Sequence, residues 1–472
     1  MVNAYPESFA KADIAAAIAA TRFGYGPRPG ELAFIAEDPG GWLIAQLRDD
    51  PEPEAIHDLP RTPVILREMR AAEAAGGATV TRYRQEVQAR GRVEAARHVL
   101  AAITGPNPFR ERLVRFWAEF FGIGLDDPAT APFAFAFERE VIRPNLTRRY
   151  YDMMLAAVRH PALILKYRNH LSFARRSAIG RDRRENLETG LARAILEDFT
   201  IGPVGGTTGL WRETDVRALA NMLTGWGLRD VPDRPETAPA VRRAPLLPAP
   251  FAFDPRAHAD GPKFMLDRDY QAAGVLEGEA ALDTLTRMPA VGRRLARLLV
   301  RAVVTDDPPE PLVEAVADGY AAGGGSLGGL AATLATSNAA FEPALRKVKR
   351  PDDLVISVYR ALGLRPTDGG AAIRDIAMLG MGPAAYGAPL AVPDTADHWL
   401  APTRFADRLD WCAGTAIRAL QSDPRGPEAA LDLGFDALGP KLSPHSYRRL
   451  AVALDIREAA ALLFASPEFQ TR

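Results

Sequence analysis

Apolar residues recur at helical spacing along most of the 472-residue chain. In "FRERLVRFWAEFF", Phe109, Leu113, Phe116, Trp117, Phe120 and Phe121 share one face, with Arg112, Arg115 and Glu119 opposite. "NLETGLARAILEDF" repeats the pattern with Leu187, Leu191, Ala194, Ile195 and Phe199. In "ETDVRALANMLTGWG", Thr214 is placed to cap a helix whose stripe is Val216, Leu219, Ala220 and Leu223, and Gly225 and Gly227 end it. Runs that alternate apolar and polar residues are scarce, so no substantial sheet is expected. The predicted fold is mainly α and multi-helical, with two packed helical units and long Pro/Gly-rich loops.

Two stretches interrupt the helices. Residues 228–268 carry eight prolines, from Pro232 to Pro262, and residues 365–403 are rich in Gly and Pro. This predicts an N-terminal helical unit over 1–227, a Pro-rich loop over 228–268 and a C-terminal helical unit over 269–472, the last containing a Gly/Pro-rich loop at 365–403. "LATSNAAFE" (334–342) and "LFASPEFQ" (463–470) echo each other, each ending an Ala-rich helix with an aromatic-acid pair.

Composition narrows the picture little. Hydrophobic residues make up 47% and charged residues 25%, as in ordinary globular chains. The net charge of -1 gives no general attraction to nucleic acid or anionic membrane. One cysteine, Cys412, leaves no internal disulfide and no Cys-rich metal site. The N-terminus lacks a basic stretch followed by an apolar core, so no signal peptide or membrane span is read. A cytoplasmic location is the default, with export beside a partner as the alternative.

The candidate chemistry centres on "HADGPKF" (258–264). His258 is the residue type for acid–base work near neutral pH, and Lys263 can hold an anion. As plain structure, "DGP" is a turn in which Asp260 accepts a backbone N–H and Gly261 takes an unusual dihedral. Arg193 and Glu197, four apart, either pair in solvent or line a cleft against this loop. Arg115 and Glu119 repeat that spacing, and two such pairs can build a polar network between units. No His-x-x-x-His occurs, and His160 and His170 are about 15 Å of helical rise apart, so no metal site is expected. "RFGYGPRPG" (22–30) reads as a helix end, not a phosphate loop. Arg175, Arg176, Arg181, Arg183 and Arg184 form a basic run whose default is a solvated loop.

In order, "AATRFGYGPRPGEL", "RERLVRFWAEFF", "HPALILKYRN", "ETDVRALANMLTGWG", "FDPRAHADGPKFML", "KVKRPDDLVISVYRALG" and "ASPEFQ" resemble the bacterial "domain of unknown function 1800" family. The resemblance implies a mostly helical protein and a genomic neighbour related to alkaline phosphatases and sulfatases; it implies no established reaction. It also implies histidines where this chain has Ala118 and Phe120, and a Glu and a His where it has Ala194 and Phe199. A divergent member acting as a binding or accessory protein for a phosphatase/sulfatase-like partner is the first expectation. The alternative is a hydrolase of an anionic or glycosidic substrate, with His258 and Glu197 catalytic. Arg193, Lys263, Arg115, Glu119, Asp215 and Trp226 are the expected ligand-binding residues, and no cofactor is identified.

Overall fold

The computed structural model describes residues 5–6, 8–48, 52–180, 187–203, 209–229, 251–382 and 387–472. The protein is mainly α-helical. The helices used below are α1 (Lys11–Ile18), α2 (Gly77–Thr104), α3 (Pro108–Phe121), α4 (Tyr150–Arg159), α5 (Glu213–Met222), α6 (Val275–Thr286), α7 (Pro289–Val303), α8 (Pro351–Ala361), α9 (Pro402–Ala419) and α10 (Ile456–Ala465). Prolines open α3, α7, α8 and α9, at positions where their missing N–H costs no helix bond. No helix among the described residues is long and apolar enough to cross a membrane.

Two antiparallel strand pairs are the only named strands among the described residues. β1 (Trp226–Leu228) pairs with β2 (Phe251–Phe253), and β3 (Lys263–Met265) pairs with β4 (Arg268–Tyr270). The second pair closes through Leu266 and Asp267, whose φ values of 51° and 57° match the left-handed two-residue turns of tight hairpins. The remainder of the Pro-rich stretch, 230–250, lies outside the described residues.

Buried apolar side chains fall into two clusters. The first runs from Ala16 to Ala340 and includes Trp226 and Met265, so the described ends of the Pro-rich stretch pack inside it. The second joins Tyr25 and the end of α2 to residues 354–469. Helix α2, 28 residues long, serves both, giving Val87 and Ala95 to the first and Val99, Ala102 and Ile103 to the second. Residues 365–403 are less irregular than their glycines and prolines predict, because a helix forms over Gly370–Met378 and buries Ala372 and Ile376. Helix α5 starts one residue before Thr214; the Asp215 carboxylate, not the Thr214 hydroxyl, accepts the Arg212 N–H. The echoed segments share a real device, a serine before a short terminal helix, although only the Ser466 hydroxyl accepts a following N–H, that of Phe469.

One half-buried cation sets a pH dependence. Among the described residues, the Lys441 ammonium hydrogen-bonds only Thr21 Oγ1 at 3.0 Å and the Thr471 carbonyl at 3.5 Å. Burial, aided by Arg22 and Arg346, pushes its pKa down to about 7 from an ordinary 10.5. Between those values the unfolded chain holds a proton that the folded chain has released, so stability rises with pH, by at most about 1.4 kcal/mol per pH unit. Below pH 7 the penalty is constant. Denaturation measured from pH 7 upward is expected to show this rise in the wild type and a flatter profile in Lys441→Met.

Candidate functional site

Helix α3 carries Arg112, Arg115 and Glu119 on its polar face, and that face is buried, with Arg112 and Glu119 at 7% and 6% exposure. Charges removed from water need partners. They find them at the start of α8, where "RPDD" places Arg350 before the helix and Asp352 and Asp353 in its first turn, next to the unpaired N–H groups there. Arg350 donates to both oxygens of Glu119, at 2.7 and 2.6 Å. Arg115 Nε lies 3.1 Å from Glu119 and 3.1 Å from Asp352. Arg112 donates to Asp353 at 2.9 Å and to the carbonyls of Phe23 and Gly24, and its guanidinium lies 4.4 Å from the Tyr25 ring centroid. Arg472 Nε completes the chain 3.1 Å from Asp353.

This network forms one wall of a cavity of about 290 Å³, at the small end of ligand sites. The C-terminal end of α7, the segment 390–395 and Tyr25 form the rest. Five arginines (112, 115, 301, 350 and 472) face four carboxylates (119, 352, 353 and 394). Arg301, exposed at the end of α7, has no ion-pair partner among the described residues. Helix α3 and the 390–395 wall are tied together by the Leu390 N–H, which donates to the Glu119 carbonyl at 2.8 Å.

The electrostatics disfavour proton transfer by Asp352 and Asp353. Burial opposes ionisation of Asp352, but Arg115 and Arg350 outweigh it and hold the carboxyl below its usual range. Asp353 is held lower still, burial being outweighed by Arg112 and Arg472. Asp394 differs: burial raises its pKa even though the Lys347 ammonium is 3.1 Å away. Among the described residues, no imidazole or thiol lines the cavity. Cys412 lies elsewhere, buried, with its pKa pushed up to about 12 by burial, which leaves the thiol unreactive.

A smaller cavity of about 50 Å³ shares Tyr25 and Arg115 with the first. Here His98 Nδ1 sits 2.8 Å from Glu138, and Arg143 bridges Glu138 and Glu111. Burial opposes ionisation of Glu138, but His98 and Arg143 hold its pKa down to about 2.

The sequence model of the family described as "Protein of unknown function (DUF1800)" matches residues 18–471, nearly the whole chain. The chain belongs to the DUF1800 family. No curated protein and no solved structure matches it.

Within this family member the sequence-predicted site residues lie in three places. Arg115 and Glu119 pair as their spacing predicts and line the arginine-rich cavity. His258 and Lys263 are buried together around Glu277, at 3.3 and 2.6 Å, and His258 Nδ1 also lies 2.9 Å from the Thr224 carbonyl. Glu277 in turn accepts the N–H groups of Ala273 and Gly274 at the start of α6, so the cluster braces the "HADGPKF" turn. Gly261 takes φ 81° there. Arg193 reaches Glu213 on α5 instead of Glu197, at 2.6 Å and in solvent. Glu197 lies partly exposed in the π-helical turn Ile195–Phe199. No hydrogen bond or ion pair joins His258 to Arg193 or Glu197 among the described residues. Asp215 accepts the N–H groups of Arg212 and Leu266, tying α5 to the β3–β4 turn. Trp226 is fully buried in β1, in the wall of a separate cavity of about 710 Å³ beside His170.

Sequence reasoning missed Arg350, Asp352, Asp353, Arg472 and Arg301. The signal available was "KRPDD", an arginine and two acids around a helix-opening proline. Of the basic run, Arg175 and Arg176 are exposed, and Arg181, Arg183 and Arg184 lie outside the described residues. No group of three or more potential metal ligands occurs among the described residues. Two positions at which the resemblance implies histidine come together: the rings of Phe120 and Phe199 are 5.9 Å apart, both fully buried.

Proposed function

We propose that this protein binds a small anion in the arginine-lined cavity between α3, α7 and α8, and acts as a binding or accessory protein. The observation that carries this reading is the surplus of arginine: Arg301 makes no ion pair within 4 Å among the described residues and feels the Asp306 carboxylate only from farther away. Guanidinium groups suit phosphate, sulfate and carboxylate because their fork matches two oxygens at once. Carboxylates gripped by arginine are weak bases, which favours holding a ligand over turning it over. The aromatic pair Phe120–Phe199, in place of implied histidines, removes proton-handling groups from the helix behind the cavity. A partner of the phosphatase/sulfatase class follows from the resemblance and fits the chemistry, since such enzymes take and release anions. The hydrolase reading finds less support: of the residues with which His258 was to act, Lys263 joins it around Glu277, but no hydrogen bond or ion pair brings Glu197 or Arg193 to it among the described residues.

Calorimetric titration of the full chain with inorganic sulfate and phosphate tests the reading. Saturable binding to one site, weakened in Arg301→Gln, is expected; heats of dilution alone for both ions would overturn it. The partner is tested separately by co-expression with the phosphatase/sulfatase-like neighbour, where independent elution of the two chains would count against it.

A further inference from the structure

The cavity lining is chemically mixed. Beside the arginines it includes Leu298 and Val303 of α7, Phe116 of α3, and Leu390, Val392 and Pro393. An inorganic oxyanion would meet the charged side chains and gain nothing from the apolar ones, which an apolar body would cover.

Leu390 adds an independent sign. Its φ of 51° lies in the left-handed region, which costs a branched L-residue energy that glycine would not pay. The Glu119 carbonyl holds it there by accepting its N–H at 2.8 Å. The chain therefore keeps an isobutyl group against the cavity at the expense of backbone strain, where a glycine would relieve it.

We infer that the ligand is an organic anion: one phosphate, sulfate or carboxylate group carried on a compact apolar body of aryl or short alkyl type. This rests on the anion reading above and deepens it. The formal surplus of one arginine over the carboxylates matches a single negative charge. The volume of about 290 Å³ limits the body to roughly one ring. The anionic head meets Arg301 and Arg115, the two lining arginines that are not fully buried, and the apolar body lies on Leu390, Val392 and Val303. Head groups of the three kinds share this chemistry, and the titration separates them.

The test is calorimetric titration of the full chain with phenyl sulfate, phenyl phosphate and benzoate. Inorganic sulfate, inorganic phosphate and phenol serve as the stripped-down comparisons. At least one aryl anion is expected to bind about tenfold or more tightly than its inorganic counterpart, and phenol far more weakly. In Leu390→Gly, which suits the backbone, that preference is expected to shrink toward parity. Equal affinity for aryl and inorganic anions in the wild type would overturn the organic-anion inference and leave anion binding standing. An undiminished preference in Leu390→Gly would also overturn it. Binding of none of the anions, or of phenol as tightly as phenyl sulfate, would instead bring down the anion reading itself.

Discussion

Replacing Glu119 with alanine is expected to destabilise the protein by about 3–5 kcal/mol, the usual cost of orphaning a buried ion-pair partner. Glu119 is 6% exposed, and both its oxygens accept from Arg350 while Arg115 leans on one of them. Removing it leaves two guanidiniums out of water, sharing Asp352. The cost is therefore mainly that of stranding cations and not that of losing two hydrogen bonds. It follows that deleting Arg350 as well should recover part of the loss, so the double variant Glu119→Ala/Arg350→Met should cost less than the sum of the singles. Urea denaturation of the three variants gives the cycle. A single-variant loss under about 1 kcal/mol would place this pair with exposed ones, which are worth that or less.

The second large effect is expected at Gly122, which ends α3 with φ 61°. A Cβ there would sit 2.3 Å from the Ala388 carbonyl carbon and 2.4 Å from the Pro389 nitrogen, both backbone atoms that cannot swing away. Gly122→Ala thus adds a clash, typically about 1–3 kcal/mol, to the roughly 1–2 kcal/mol cost of a left-handed alanine. The same displacement moves the 390–395 wall, so anion affinity should fall together with stability. Gly261 supplies the control. It has φ 81° but nothing within 4 Å of an added Cβ, so Gly261→Ala should show the dihedral cost alone. Equal melting temperatures for the two variants would mean that the contact between α3 and residues 388–389 is not tight.

The helical class was legible because apolar spacing needs only local sequence. Helix α3 runs where its stripe predicts, and even the Arg115–Glu119 pair could be read from spacing. The destination of its polar face could not. A stripe of Arg and Glu looks the same whether it meets water or a second helix, and here the partners are 231 and 241 residues away. Local pairing rules also misled where a neighbour competed: Arg193 and Glu197 are spaced to pair, yet Glu213 at the start of α5 reaches Arg193 first. At "HADGPKF", polar residue types drew the eye to a loop, whereas His258 and Lys263 turn inward to Glu277, a residue on the next helix with no local mark. In both cases the missing information was tertiary, which ordered chain positions alone do not carry.

The account turns on the arginine-lined cavity being where an anion sits, and anomalous diffraction locates such an ion directly. Crystals of the full chain soaked in selenate, an isostere of sulfate, are predicted to show a selenium peak inside the cavity, in hydrogen-bond range of Arg301 or Arg115. Selenium peaks confined to the outer surface, with the cavity holding only water, would contradict the account.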